Sequence, residues 1–483
     1  MNLVGFWAII IWSIFLIFLV FFDIRKKREN ISFEGFVLGK HQFNKWQIAL
    51  SLIASYIGGG TLIAFAGQVT KIGFAFIFIP VGVFLAFIIF GFVSKFYRRV
   101  DLSKEEFAQT AVQRIVQTYG DDLFWPVFLI MAITLISFIA IQLYGGALLL
   151  SEVLNINKVL AAAIITGITG VYSRIGGSRG DVITDIFQGL IILIVIFVSI
   201  FILFNGNPIT ELSNNLALNQ HELLNPLNQG WGFIIAMIIL PFFAIHTDPS
   251  LHLRLYIARN DAEAKGASII ASIIYLFFGF SLIIVTLGIF SLGLGDGDNI
   301  LIDFALNKSH PIIGVGFTIA IYSAVISTMD SQSIKLSSIF VNDLYSKFDN
   351  NINEDNIHQG KMVRVILPWI FVLGFAFSLI LFAFETAFLF LSSIWVIGIA
   401  SFGLLFVGLW WSRLRDIMIS NKRLLKYDVT ISTILVFLLI GYFLLKGDSN
   451  PSTKLLIAGT IIVITKLSFY LIKMLIVTFK KNN

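Results

Sequence analysis

A run of hydroxyl groups next to an apolar segment is the feature of this sequence with the clearest chemical potential. From Ser323 to Ser338 the chain reads SAVISTMDSQSIKLSS, with seven serines and threonines, directly after PIIGVGFTIAIY. Helical spacing places Ala324, Ser327 and Thr328 on one face. Hydroxyls and main-chain carbonyls are hard oxygen donors, which suit an alkali cation. The same hydroxyls could instead donate to carbonyls one turn earlier, and spacing alone favours neither interpretation.

The composition identifies lipid as the solvent of this chain. Of 483 residues, 57% are hydrophobic and 13% are charged, and the mean hydropathy is +0.90. Soluble domains carry about 25% charged residues, so a soluble chain of this length could not cover its surface. The absence of cysteine excludes a disulfide framework and thiolate metal sites. The six histidines form no metal-ligand spacing such as HExxH, and we expect no enzyme.

Thirteen segments are apolar over lengths that suggest bilayer spans, so the predicted fold class is an all-α integral membrane protein. They are residues 3–22, 47–68, 73–94, 123–150, 159–172, 182–205, 231–250, 268–291, 311–330, 363–382, 386–411, 428–445 and 455–478. The first is not a cleaved signal peptide, because no basic region precedes it and its apolar run is too long.

The basic residues fall mainly on one side of these spans. The segment DIRKKREN follows the first span, which predicts an external N-terminus. Of the 34 lysines and arginines, 27 then lie in cytoplasmic segments, including every arginine. The C-terminus is predicted to be cytoplasmic. Because topology accounts for the net charge of +6, we expect no nucleic-acid partner.

Two spans contain helix-breaking residues at corresponding positions. The second span contains Gly58, Gly59 and Gly60, each of which costs about 1 kcal/mol relative to alanine inside a helix. In the seventh span Asp248 precedes Pro249, which removes a backbone donor and disfavours helix in the residue before it. Breaks five spans apart predict an inverted repeat of spans 2–6 and 7–11, with a binding site at the breaks. The glycines could also serve close helix packing.

Five segments together resemble the sodium:solute symporter family. STMDSQSIKLSSIFVNDLY resembles its signature, SLIASYIGGG its first core helix, IAIQLYGGALLL its third and YSRIGGSRGDVITDIFQG the start of its fifth. GFVLGKHQFNKWQIALSL resembles the segment before the first core helix. The likeness implies the five-plus-five inverted-repeat core of LeuT type. It also implies sodium-coupled symport of a small organic solute across the plasma membrane, with proton coupling or a non-transporting solute sensor as alternatives.

The resemblance also implies site residues. The coupling ion Na⁺ would be bound by Ala54, Ile57, Ala324, Ser327 and Thr328. Asp185 matches a position at which some members hold a second cation, although an acid at a helix start would also be favourable there.

The solute would meet residues of both broken helices and of the third core helix. These are Tyr56, Gly58, Gly59, Gly60, Gln142, His246 and Asp248. A packing role is the alternative for His246. Tyr56 stands where proline and sugar transporters carry Asp or Asn, and Asp248-Pro249-Ser250 departs from the Gln-Pro-His of proline symporters, which disfavours proline and glucose as the solute.

The predicted organisation has five parts. A first helix and cytoplasmic loop (1–46) precede one five-helix repeat (47–205), an extracellular loop (206–230), the second repeat (231–412) and two peripheral helices (413–483). The expected partners are the solute and membrane lipid, without an obligatory protein partner. Asp330 and Lys335 are expected to pair or to extend towards the membrane surface, and Arg179 and Asp181 to form a solvated turn.

Overall fold

The computed structural model describes residues 2–26, 32–101, 106–204, 214, 216, 220–308, 310–349, 355–384, 387–446 and 451–482. Part of the predicted basic segment, residues 27–31, and much of the predicted external loop 206–230 lie outside this part of the chain. The described chain is almost entirely helical, which confirms the predicted fold class.

In the described part of the chain, eight α-helices precede the predicted external loop. They are α1 (Leu3–Lys26), α2 (Phe33–Phe36), α3 (Lys45–Tyr56), α4 (Gly59–Ile72), α5 (Phe78–Arg98), α6 (Ala111–Tyr119), α7 (Phe124–Leu154) and α8 (Lys158–Phe204). A short antiparallel pair, β1 (Arg99–Asp101) and β2 (Glu106–Phe107), connects α5 to α6.

Ten further α-helices are formed by described residues from Gly230 onwards. They are α9 (Gly230–Thr247), α10 (Pro249–Tyr256), α11 (Asp261–Ser291), α12 (Ile300–Asp303), α13 (Pro311–Ile339), α14 (Asn356–Phe384), α15 (Ala387–Trp410), α16 (Ser412–Ile419), α17 (Lys422–Lys446) and α18 (Pro451–Asn482).

Within the described residues, 11 helical ranges are long and apolar enough to cross a membrane. Two of them, Gly59–Arg98 and Lys158–Leu203, contain 40 and 46 residues. A single crossing needs about 20 residues, so each is long enough for two crossings. The second range is kinked at Gly177, whose φ of 56° suits a residue without Cβ. The total of thirteen spans stays a prediction, which these two long ranges favour.

The first broken helix is interrupted at Ile57 and at Gly58, the first of the three predicted glycines. After α3 ends, Ile57 (φ −85°, ψ 72°) and Gly58 (φ −72°, ψ 150°) leave the helical conformation, and Gly59 begins α4. The Gly58 carbonyl already accepts the amide of Leu62 at 2.7 Å, so helix resumes at once. The break therefore leaves the carbonyls at the end of α3 without helical partners.

The second broken helix is interrupted at Asp248, as its sequence predicts. Asp248 is extended (φ −78°, ψ 111°), and Pro249 occupies the first position of α10. The Asp248 carboxylate caps α10 by accepting the Ser250 amide at 2.8 Å. Proline at the first helical position lacks only an amide that would have no partner there.

Main-chain hydrogen bonds join the segment before α3 to the segment after α10. Phe43 forms a parallel bridge with Ala258, in which the Arg259 amide donates to the Phe43 carbonyl at 3.0 Å. Beside it, the Lys45 amide donates to the Glu263 carboxylate at 2.6 Å. The two broken helices are thus tied together at the same end.

Helix α13 lies at the centre and packs against α7, α8 and α4. The helices approach closely because glycines lie at the contacts. A Cβ built on Gly60 would lie 2.0 Å from the carbonyl oxygen of Ile141 on α7, and one on Gly59 would lie 2.2 Å from Cγ2 of Val325 on α13. Gly145 on α7 faces Gly60 in the same contact. Small residues at such crossings are typical of membrane helices.

We predict that Gly60→Ala lowers the melting temperature of the protein in detergent. The added methyl group would meet the Ile141 main chain at 2.0 Å, and a carbonyl cannot rotate away as a side-chain tip could. Overpacking of this kind destabilises by about 1–3 kcal/mol. The matched control is Gly167→Ala in α8, where a Cβ would meet nothing within 4 Å. Equal melting temperatures for the two variants would show that this helix contact is not close packed.

Candidate functional site

The first broken helix and α13 meet through their oxygen atoms. Ser327 Oγ lies 2.9 Å from the carbonyl oxygen of Ala54 and 3.2 Å from that of Ala324. All three residues are fully buried. The carbonyl that the break frees, the hydroxyl and the α13 carbonyl are therefore brought together as the sequence predicts.

Thr328 and Ile57 adjoin this cluster. Thr328 Oγ1 lies 3.1 Å from the carbonyl oxygen of Ser55, one residue beyond Ala54. Ile57 is the residue at the break, and its amide still donates to Ile53 at 2.8 Å. The predicted set of residues thus surrounds one end of α3, with Ser55 as a neighbour that the sequence did not indicate.

The atoms of this cluster fit a small hard cation. They are hydroxyl and carbonyl oxygens without formal charge, and none is a sulfur or nitrogen donor. The Ser327 and Thr328 hydroxyls lie 2.9–3.2 Å from carbonyl oxygens of Ala54, Ala324 and Ser55, so hydroxyl and carbonyl oxygens are already gathered at one place. An alkali cation such as Na⁺ matches this donor set.

A cavity lies beside the cluster, between the two broken helices, α7, α13 and α15. Its lining is mostly aromatic, hydroxyl-bearing and amide side chains: Ser55, Tyr56, Thr61, Met131, Thr134, Phe138, Gln142, Ala244, Thr247, Asp248, Pro249, Thr328, Gln332, Ile394, Trp395, Gly398 and Phe402. Ser55 and Thr328 belong to both the cavity and the oxygen cluster. An ion in the cluster would therefore share part of its surroundings with a solute in the cavity.

Three of the predicted solute-contacting residues line this cavity, namely Tyr56, Gln142 and Asp248. Gly58, Gly59 and Gly60 do not belong to the lining in this conformation, and their contact with the solute stays a prediction. A Cβ on Gly58 would lie 2.5 Å from the amide group of Gln142. The glycines instead allow the close approach of α7 and α13, which is the packing role left open above.

His246 also lies outside the cavity lining in this conformation, which favours the packing role that was its alternative. Its ring is fully buried between Phe90, Tyr97 and Phe242, and Nδ1 lies 2.6 Å from the Phe242 carbonyl one turn earlier. His252 has a related role: its Nε2 lies 2.8 Å from the His246 carbonyl, near the end of α9. It thereby provides a partner for a main-chain group at the second break.

Asp185 lies next to the oxygen cluster and is bound by an arginine from the second broken helix. Arg254 Nη2 lies 2.8 Å from Asp185 Oδ2, and Nη1 lies 2.7 Å from Asp181 Oδ2. The side chains of Arg254, Asp181 and Asp185 are fully buried. Ser51 donates to the same Asp185 oxygen at 2.5 Å. The expectation of a solvated Asp181 is therefore wrong.

Two serines connect this ion cluster to the oxygen cluster. Ser55 Oγ accepts from Arg254 at 2.9 Å, and Ser331 Oγ also contacts the Arg254 guanidinium. Ser331 donates to Asp181 at 3.0 Å from the turn that follows Ser327. Asp330, also buried, is a further carboxyl group near this guanidinium.

Lys335 does not pair with Asp330 in the structure. Its Nζ donates to the Gln109 carbonyl at 3.2 Å and lies 5.1 Å from the centre of the Tyr256 ring. Arg179, expected in a solvated turn, donates to Gln42 at 3.0 Å.

The sequence did not reveal Arg254 or most of the cavity lining. LHLRLY reads as an ordinary segment after a break, although a basic residue so close to a predicted transmembrane break was a usable signal. Gln332 lies in the hydroxyl-rich stretch but carries no spacing signal. Trp395 and Phe402 come from a uniformly apolar helix, in which nothing distinguishes a cavity residue from a lipid-facing one.

Comparison with known proteins places this geometry in a family. The sequence profile of the Sodium:solute symporter family matches residues 36–416. The sodium/pantothenate symporter of Haemophilus influenzae is 24% identical over 361 residues, which cover 71% of this chain and 73% of that protein. The mouse sodium-coupled monocarboxylate transporter 2 is 30% identical over 186 residues, 38% of this chain and 28% of that protein.

A solved structure gives the fold. The substrate-bound, outward-open structure of a Na⁺-coupled sialic acid symporter aligns with a TM-score of 0.73 at 17% identity, over 90% of this chain and 96% of that one. This likeness confirms the LeuT-type fold. Together with the family match and the 11 membrane-spanning ranges, it leads to one conclusion. The chain belongs to the sodium:solute symporter family and is a multi-pass membrane transporter, not an enzyme, that couples the movement of a small solute to Na⁺.

Proposed function

We propose that Na⁺ binds where the broken end of α3 meets α13, with Ala54, Ile57, Ala324, Ser327 and Thr328 as its ligands. The observation that carries this proposal is the contact of Ser327 Oγ with the Ala54 carbonyl at 2.9 Å across the break. These ligands are neutral oxygens without a titrating group, which favours sodium over a proton as the coupling ion.

Coupling to the solute follows from the shared residues. Thr328 and Ser55 line the solute cavity and also adjoin the ion site. An ion that holds Thr328 and Ser55 close together would also determine the shape of the cavity wall that the solute contacts. In this conformation the cavity measures about 30 Å³, room for a few waters at most. Admission of an organic solute therefore requires the lining helices to separate, as in alternating access.

We predict that Thr328→Ala weakens Na⁺ binding with little loss of folded protein. A lost hydrogen-bonding oxygen in a buried site is worth about 1–3 kcal/mol, or roughly a five- to 150-fold change in affinity. Binding of radioactive Na⁺ to purified protein in nanodiscs measures this directly, without knowledge of the solute.

The matched control is Ser337→Ala on the same helix. Ser337 is also fully buried, and its hydroxyl donates to the Ser333 carbonyl at 2.8 Å, away from the ion site. This control should keep the Na⁺ affinity of the wild type. Unchanged Na⁺ affinity in well-folded Thr328→Ala would exclude Thr328 as a ligand.

We further infer that Arg254 takes the place of a second mobile cation at Asp185. The guanidinium is fixed to the chain, lies within hydrogen-bond distance of both Asp181 and Asp185, and is buried with them. The transporter would then bind a single sodium ion.

We predict one Na⁺ per chain in equilibrium binding, for the wild type and for Asp185→Asn alike. Asparagine keeps the size of the side chain and leaves Arg254 paired with Asp181 at 2.7 Å. Two ions in the wild type and one in the variant would instead identify Asp185 as the ligand of a second cation.

We propose that the protein lies in the plasma membrane with its N-terminus outside and its C-terminus in the cytoplasm. The location of every arginine in predicted cytoplasmic segments supports this orientation. The two five-helix repeats, 47–205 and 231–412, would surround the site, with the helices of 413–483 at the periphery. Exposed apolar side chains on α1 and α17, such as Ile11 (64%) and Leu438 (65%), fit contact with membrane lipid.

Single cysteines test the orientation on this cysteine-free background. A membrane-impermeant thiol reagent added to intact cells should label Leu227→Cys, which is exposed in the predicted external loop. It should label His358→Cys, exposed in the first turn of α14, only after the cells are opened. The reverse pattern would invert the topology.

A further inference from the structure

The solute cavity contains a set of hydrogen-bonding groups that restricts the charge of its ligand. Among the described residues that line it, Asp248 is the single carboxylate, and lysine and arginine are absent. An organic anion in this cavity would find no basic side chain as its partner. The inference that follows rests on the proposed function, because it concerns the solute that this symporter carries.

Helices α4 and α10 begin directly after the two breaks, and oxygens of the chain itself already accept hydrogen bonds from amides at both N-termini. Helix N-termini in such transporters can bind an anionic group of the solute. Here Gln142 Oε1 accepts the Gly60 amide at 2.9 Å at the start of α4. The Asp248 carboxylate accepts the Ser250 amide at 2.8 Å at the start of α10. A solute carboxylate would have to displace one of these groups.

The hydrogen bonds also fix what the two glutamines offer to a ligand. Gln142 Oε1 accepts the Gly60 amide, so the NH₂ group is the part of this side chain that can still bind a ligand. Its nitrogen, Nε2, has no hydrogen-bond partner in the structure. Ser250 donates to Asp248 at 2.7 Å, so Ser250 Oγ must accept from the Gln332 NH₂ group at 3.1 Å. Gln332 Oε1 is then left without a partner. Both side chains are at least nine-tenths buried and line the cavity, at 0% and 2% exposure.

A donor from Gln142 and an acceptor from Gln332 together require a ligand that accepts and donates. A carboxylate only accepts and would leave Gln332 unsatisfied. An ammonium only donates, would leave Gln142 unsatisfied, and would lie close to the bound Na⁺, whose site shares Ser55 and Thr328 with the cavity. A hydroxyl group does both. Leaving such buried groups unpaired disfavours the wrong ligand strongly.

The remaining side chains of the lining favour the same kind of ligand. Tyr56, Phe138, Trp395 and Phe402 offer aromatic surface, and Thr134 Oγ1 is a further buried hydroxyl without a partner. A polyhydroxy compound presents hydroxyls at its edges and C–H groups between them, which suits such a wall. We propose that the solute is an uncharged polyhydroxy compound of the polyol class, and that organic acids and amines are rejected.

The test compares three solutes that differ at one carbon: glucitol (CH₂OH), gluconate (COO⁻) and glucamine (CH₂NH₃⁺), with myo-inositol and ribitol as further uncharged polyols. Protein in nanodiscs is titrated with each in Na⁺ or K⁺ buffer, and binding is followed by calorimetry and by melting temperature. We expect Na⁺-dependent binding of at least one uncharged polyol, and binding of gluconate and glucamine weaker by about tenfold or more. Preference for gluconate or glucamine, or no binding of any polyol, overturns the proposal.

A substitution of Gln142 tests whether this cavity determines the preference for polyols. Gln142→Glu keeps an oxygen to accept the Gly60 amide and replaces the unpaired NH₂ with a carboxylate oxygen. It should weaken polyol binding about tenfold or more. The control is Gln68→Glu. Gln68 is a buried glutamine on α4 that does not line the cavity, so this variant should bind polyol as the wild type does. Equal polyol binding by Gln142→Glu and wild type would remove Gln142 from the site.

Stabilisation by Na⁺ alone separates this inference from the proposed function. If Na⁺ but not K⁺ raises the melting temperature, and Thr328→Ala abolishes the effect, the ion site stands whatever the solutes do. Failure of every polyol would then refute only the solute class. Loss of the sodium effect in the wild type would refute the proposed ion site itself.

Discussion

A main chain that leaves the helical path within lipid must find new partners for its N–H and C=O groups, and this constraint organises the centre of the molecule. At the first break, Ser327 donates to the Ala54 carbonyl and Gln142 accepts an amide of α4. At the second, Asp248 caps α10. The groups that satisfy the interrupted backbone are also those that would bind the ion and surround the solute. The hydrogen bonding of the interrupted main chain and the proposed binding of ion and solute therefore depend on the same side chains.

The buried ion cluster extends this arrangement to four helices. Arg254 on α10 contacts Asp181 and Asp185 on α8, while Ser55 on α3 and Ser331 on α13 also contact its guanidinium. Removing one partner from such a cluster leaves a buried charge uncompensated, which destabilises a protein by about 3–5 kcal/mol. The cluster thus holds the ends of both broken helices next to the ion site.

Local sequence rules predicted the two helix breaks but not most of the cavity wall. Pro249 and the glycine triplet disfavour helix through their own covalent structure, and Ser327 and Thr328 follow from helical spacing, so these features are local. Gln332 gains its role only because α10 places Ser250 against it, and Trp395 only because α15 packs on the broken helices. Such roles depend on contacts between distant segments. The aromatic surroundings of His246 could not be predicted for the same reason, since Phe90 and Tyr97 come from another helix.

The bridge between Phe43 and Ala258 has a mechanical consequence. Two membrane helices that merely pack can slide past one another, but main-chain hydrogen bonds of the kind that hold a β-sheet together resist sliding. The Phe43 carbonyl and the Arg259 amide form such a bond, and the Lys45 amide reaches Glu263 beside it. These hydrogen bonds therefore join the start of α3 to the segment that follows α10. As long as these bonds persist, the start of α3 and the segment after α10 keep a fixed position relative to each other.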